Sequence, residues 1–209
     1  MTRDEFTRAI LDAIADAPSG PVEPLDVALA MVPADGTALE FGVYRGGTLT
    51  RIAGALPRGR VVGFDSFRGL PSDWRDGFPA GAFAIRDLTT VDVPSNAAVF
   101  IGLFADTLPA WRADNPGPVD LVHIDCDIYE SAACVLDLLA DRITPETVLV
   151  FDELVNYEGF EDHELRALWE HCERTATEPR IVCSGGVYKQ AVALRLAAPL
   201  HRMLSAGRA

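Results

Sequence analysis

Two pairs of acids carry the chemistry this sequence can do: Asp125-x-Asp127 in VHIDCDIYES, and Asp152-Glu153 in VLVFDELVNY. Each pair ends a short apolar run, so neighbouring strands would bring four carboxylates together. Unit charges about 4 Å apart repel by roughly 4 kcal/mol at an effective dielectric near 20, so such a cluster needs a cation, a proton or wide spacing. Oxygen ligands without an accompanying cysteine-histidine set suit Mg²⁺ or Ca²⁺ better than zinc. Cys126, between the first two acids, reads as a buried thiol rather than a nucleophile. His123 reads as an interior strand residue rather than a base. His163, inside EDHE at a helix start, is a candidate for orienting substrate, although a polar helix start also accounts for it.

A second constellation lies upstream, in TALEFGVYRGGT at Thr37–Thr48. Leu39 and Phe41 suit a buried strand, and Gly42, Gly46 and Gly47 keep side chains away from a ligand near the backbone. The helix expected over Gly47 to Leu56 would turn free amides and its positive dipole end toward a carboxylate or phosphate. E-F-G-x-x-x-G-G departs from the dinucleotide pattern G-x-G-x-x-G, so the glycines alone do not choose a ligand. RVVGFD follows at Arg60–Asp65, another apolar run closed by an acid. An acid there accepts hydrogen bonds from ribose hydroxyls in doubly wound folds, and the two signals together argue for a nucleoside site.

The elements that must hold these groups alternate. Phe6, Ile10, Leu11 and Ile14 mark an amphipathic helix ending near Pro18, Ser19 and Gly20, free to cover the core or another subunit. A second helical segment spans about Leu25 to Met31. Between Ser66 and Pro94 no period is sustained, and Trp74, Phe78 and Phe83 make this long connection either a lid or a loop pinned to the core. Ala97 to Phe104 is a third apolar run, with Asp106 and Thr107 starting a short helix through Trp111. Val119 to Asp125 and Thr147 to Phe151 are further strands, separated by a helix over about Glu130 to Arg142. Another helix, about Phe160 to Arg174, leads to a hairpin of Arg180 to Cys183 and Gln190 to Leu196. Five rounds of alternation predict an α/β, Rossmann-like doubly wound sheet of about seven strands, mostly parallel with one antiparallel C-terminal strand. Residues 1–36 read as a helical cap, 37–198 as the main domain, and 199–209 as a frayed tail.

Composition narrows the function classes. With 209 residues, 49% hydrophobic and 23% charged, the chain suits one domain with a sizeable core. A net charge of -13 disfavours nucleic acid and anionic lipid as partners. Four cysteines without a C-x-x-C pair, and no apolar leader or membrane span in MTRDEFTRAILDAIADA, lead to the expectation of a reducing, cytoplasmic setting.

EFGVYRGGT, GFDSFRGLP, HIDCDIYES and VFDELVNYEGFEDHE together resemble the macrocin O-methyltransferase family of class I S-adenosylmethionine-dependent methyltransferases, over roughly Leu39 to Glu164. The D-x-D-x-Y-E-S block is the most specific part. The resemblance implies a divalent ion such as Mg²⁺ and a hydroxyl acceptor on a small molecule, a sugar or other natural product. It places the donor's methionine end against Glu40, Gly42, Tyr44, Gly46, Gly47 and Thr48, and its ribose on Asp65. Its adenine falls near Ser66 and Phe104, Ala105 and Asp106, with Asp125 adjoining. It further implies metal ligation by Asp125, Asp152 and Glu153, and a general base at Asp127. Relatives often carry Asp-Asp where this chain has Asp152-Glu153, and the extra methylene bears on the metal. A homodimer is also expected. The rivals are a nicotinamide-dependent oxidoreductase, which Glu40 and the imperfect glycine pattern oppose, and a non-catalytic S-adenosylmethionine-binding module, for which a full acid cluster is surplus.

Overall fold

The computed structural model describes residues 1–17 and 23–198. Helix α1 (Arg3–Asp16) begins with a capping box in which Thr2 and Glu5 satisfy each other's amides, and it buries Phe6 and Ile10. The expected end near Pro18 and the expected frayed tail lie outside the described residues. Helix α2 (Pro24–Leu29) starts on a proline, whose missing N–H costs nothing there.

From Thr37 strands and helices alternate: β1 (Thr37–Phe41), α3 (Gly47–Ala55), β2 (Arg60–Asp65), β3 (Ala97–Ile101), α4 (Phe104–Asp114), β4 (Leu121–Ile124), α5 (Tyr129–Leu138), β5 (Val148–Phe151), α6 (Glu164–Thr175), β6 (Glu178–Gly185) and β7 (Ala191–Ala197). The sheet order is β3-β2-β1-β4-β5-β7-β6. Strand β7 pairs antiparallel with both β5 and β6 and is the one reversed strand, as the sequence predicts. Strand order reverses at β1, which pairs with both β2 and β4. A crevice therefore opens beyond its carboxyl end.

Side chains of β1 divide between two cores. Leu39 and Phe41 join Val62, Phe64, Val122 and Ile124 beneath α1, α4, α5 and α6. Ala38 joins Leu121 and Val148 beneath α2 and α3. Glu40 and His123 are register partners on adjacent strands and are both buried.

The apolar run at Ala97 ends as a strand at Ile101, not at Phe104, and α4 begins at Phe104 rather than Asp106. Gly102, with φ 152°, breaks the strand, and Phe104 packs edge-on to Phe41 at 5.2 Å from the helix's first turn. The last apolar residues of that run are thus helix-packing residues. The expected helix from Phe160 is a short 3₁₀ turn, Phe160–Asp162, followed by α6.

The long connection after β2 is internally bonded: Leu70 and Ala82 are joined through Leu70 N–H to Ala82 O at 3.0 Å, and Ile85 N–H donates to Phe67 O at 3.0 Å. It is anchored by Trp74, buried and 5.6 Å from the Tyr157 ring. Among the described residues no helix is long and apolar enough to cross a membrane.

Candidate active site

The turn after β1 is built by close approach. A Cβ on Gly42 would stand 1.7 Å from the Asp125 carbonyl oxygen, and one on Gly46 would stand 1.9 Å from that of Asp92. Both glycines have positive φ, so main-chain packing, as well as access for a ligand, requires them. Asp65 at the end of β2 holds the turn: its Oδ2 accepts the N–H groups of Val43 and Tyr44 at 2.8 Å each, while Oδ1 accepts that of Phe67 at 2.7 Å.

A cavity of about 490 Å³ lies beyond the strand ends. Gly42, Tyr44, Asp65 and Ser66 line one side, and Phe104, Ala105 and Asp125 continue the wall. Asp127 and Glu153 line it too, so the glycine turn and the acids share one space. Of the other expected donor contacts, Glu40 is buried beneath the turn, and Gly46, Gly47, Thr48 and Asp106 are not on the cavity wall. Leu70, Pro71 and Phe83 of the long connection also line it, as do two residues not singled out for the site from the sequence, Ser131 and Cys134 of α5. The signal for the last two was helical spacing, since they sit three and six residues along from Ile128. Tyr44 meets Phe83 edge-on at 5.9 Å, linking the turn to the long connection.

One side-chain oxygen from each of Asp125, Asp127 and Glu153 lies within 4.8 Å of the others. Asp127 replaces Asp152 in this group. Asp152 is half-exposed, and its Oδ1 stands 4.0 Å from His123 Nε2, whose Nδ1 is 3.3 Å from Glu40 Oε1. A line from buried Glu40 and His123 to half-exposed Asp152 thus runs beneath the turn after β1. Burial pushes the Glu40 carboxyl up. It also works against charge on His123, yet the hydrogen bond and charge of Glu40 prevail and raise that imidazole.

Burial, and then the charge of Asp152, push Asp127 up to about 7, while Arg75 acts in the opposite direction. Arg75 is held over the Trp74 ring at 4.0 Å and the Tyr157 ring at 4.8 Å. Burial, then Asp125, push Glu153 up to about 11, and its Oε2 is buried without a partner. Asp125 moves the same way, through burial first and Asp152 second. Asp127 has φ 65°, a left-handed conformation that aspartate tolerates better than most residues and that is common at functional turns. The orphaned Glu153 oxygen and the all-oxygen donor set fit a hard divalent cation.

His163 caps the 3₁₀ turn, half-buried, with its ring 6.1 Å from Tyr157, and it does not line the cavity. Cys126 is buried, and burial followed by the Glu164 charge raises its thiol, which leaves it unreactive. All four thiols are free.

An open α/β sheet with a crevice at its strand-order reversal, closed by an acid after β2, defines a nucleotide-type cofactor site. Residues 39–154, more than half of the chain, match the family described as methyltransferase domain, Methyltransf_24. The chain belongs to that family, which bears out the resemblance to class I S-adenosylmethionine-dependent methyltransferases. CalS11, a calicheamicin methyltransferase, superposes with a TM-score of 0.63 at 24% identity, over 82% of this chain and 76% of that one. A second CalS11 structure, described as a TDP-rhamnose 3'-O-methyltransferase, gives 0.55 at 27% over 82% and 75%. The O-methyltransferase NovP gives 0.57 at 23% over 82% and 75%. Curated protein sequences yield no match.

Proposed function

We propose that the chain transfers the methyl group of S-adenosylmethionine to a hydroxyl of a small molecule, with help from a divalent cation such as Mg²⁺. The observation that carries this reading is the single cavity that Gly42 and Asp65 share with Asp125, Asp127 and Glu153. The likeness to CalS11, described as acting on the rhamnose of a nucleotide sugar, supports a hydroxyl acceptor.

Bound S-adenosylmethionine supplies an electrophilic methyl on a sulfonium, and a bound cation lowers the pKa of a coordinated hydroxyl. Asp125 and Glu153 would hold that cation. Asp127, in the same group of carboxylates and drawn up to about 7, takes the acceptor's proton as its oxygen bonds to the methyl carbon and the carbon–sulfur bond breaks. Asp65, through Val43 and Tyr44, fixes the turn that carries the donor. Phe83, Leu70 and Tyr44 give the cavity an apolar lining against which donor and acceptor would be aligned, and alignment supplies most of the acceleration. The four free thiols suit a reducing, cytoplasmic setting.

A panel of hydroxylated sugars, phenols and polyketides, assayed for S-adenosylhomocysteine production, tests this. Turnover of an acceptor should fall at least a thousandfold in Asp127→Asn while S-adenosylhomocysteine binding persists. Full turnover in that variant removes Asp127 as the base.

A further inference from the structure

Seven described residues other than glycine have positive φ, and three of them line the cavity: Tyr44 (φ 50°), Phe83 (φ 66°) and Asp127 (φ 65°). Aspartate tolerates that conformation, whereas for a bulky aromatic residue it is an outlier that costs free energy. Glycine would take either place without strain, as Gly81 does two residues before Phe83 with φ 84°. Nor does burial account for the two rings, because Tyr44 is 43% exposed and Phe83 40% exposed. Strained aromatic residues that keep so much surface on a cavity wall point to a ligand.

The two rings are held in place by their neighbours. They meet at 5.9 Å with their planes 80° apart. Phe83 also stacks on Phe78 at 5.4 Å, with those planes 22° apart. Phe78 in turn lies 5.2 Å from Trp74, which packs in a buried cluster with Leu70, Ile128 and Tyr157. The Arg75 guanidinium, 5.2 Å from the Phe78 ring, adds a cation–π contact to this support. Tyr44 and Phe83 thus make a fixed apolar corner on the cavity wall, where a bound ring can stack on one and meet the other edge-on. Leu70 and Ile128 extend the apolar surface, and Asp127 lines the same space.

We propose that Tyr44 and Phe83 are the acceptor-selecting residues of this cavity, and that the acceptor carries its hydroxyl on a ring with a flat apolar face. The proposal rests on the reading of methyl transfer to a small-molecule hydroxyl given above. A phenol and a deoxysugar share this chemistry, and an open-chain alcohol lacks it. The ring rests on the corner while its hydroxyl meets the acids that share the cavity. The backbone strain at Phe83 is what the fold sustains to keep that surface open, so glycine there should remove the selection and spare the fold.

Two probes test this on protein saturated with S-adenosylhomocysteine: umbelliferone, a flat monophenol whose fluorescence reports binding, and methyl rhamnoside, a deoxysugar followed by calorimetry. At least one should bind saturably, and the one that binds tells a phenolic acceptor from a sugar. Phe83→Gly should weaken that probe at least about tenfold, and Phe83→Tyr should hold it within about threefold of wild type. Phe83→Gly should also melt within about 4 °C of wild type, because relief of strain offsets the lost ring contact. Equal probe affinity in Phe83→Gly and wild type overturns the proposal, as does a wild type that takes S-adenosylhomocysteine but neither probe. A fall in melting temperature beyond about 8 °C in Phe83→Gly makes Phe83 a structural residue and overturns it too. Probe binding that depends on Phe83 in a chain that takes up no S-adenosylhomocysteine supports the corner and refutes the methyl-donor reading instead.

Discussion

Asp65 Oδ2 accepts the main-chain N–H of Tyr44 at 2.8 Å, so the acid that ends β2 fixes the shape of the turn that ends β1. The same oxygen takes Val43, and Oδ1 takes Phe67, leaving one lone pair, on Oδ1, to accept a hydroxyl. Hydrogen bonds to a charged group contribute about 1.5–3 kcal/mol each. Asp65→Ala should therefore lower the melting temperature and raise the S-adenosylhomocysteine Kd at least about tenfold in calorimetry. Unchanged affinity would detach Asp65 from the donor site.

Gly42 joins the turn after β1 to the acid cluster through the Asp125 carbonyl. With φ 100° and no room for a Cβ, Gly42→Ala is strained in the backbone and must displace Asp125. The expected loss is roughly 3 kcal/mol in urea unfolding, with weaker binding of both S-adenosylhomocysteine and Mn²⁺. By contrast Gly47, with nothing within 4 Å of its added Cβ, should accept alanine with little effect on urea unfolding.

Asp127 makes stability depend on pH when no cation is bound. Its carboxyl lies near 7 in the folded chain against an ordinary value of 3.8, so the folded state binds the proton more tightly than the unfolded one. That contribution is fully present below about pH 4 and is lost as pH rises through 7. It amounts to roughly 4 kcal/mol at most. Chelator-treated protein should thus lose stability between pH 4 and 7, and Asp127→Asn should remove part of that slope. A flat profile in the chelated wild type would contradict the buried, crowded carboxylate.

Much of the sheet was legible because each parallel strand is a short apolar run stopped by an acid or glycine, and adjacent runs pair in register. The run through Phe104 misled because core-facing aromatics serve a helix's first turn as well as a strand. At the acid cluster, adjacency in sequence suggested that Asp152 and Glu153 act together. Neighbouring residues at a strand end diverge, however, and Asp152 turns to His123. The acceptor was not legible, because the wall that meets it comes from a connection with no sequence period.

Calorimetric titration of the wild-type protein with S-adenosylhomocysteine and, separately, with NAD tests the methyl-donor site most directly. Saturable micromolar binding of the first and none of the second is the expected result. Binding of NAD in preference, or of neither, would contradict a methyl-donor site at the turn after β1.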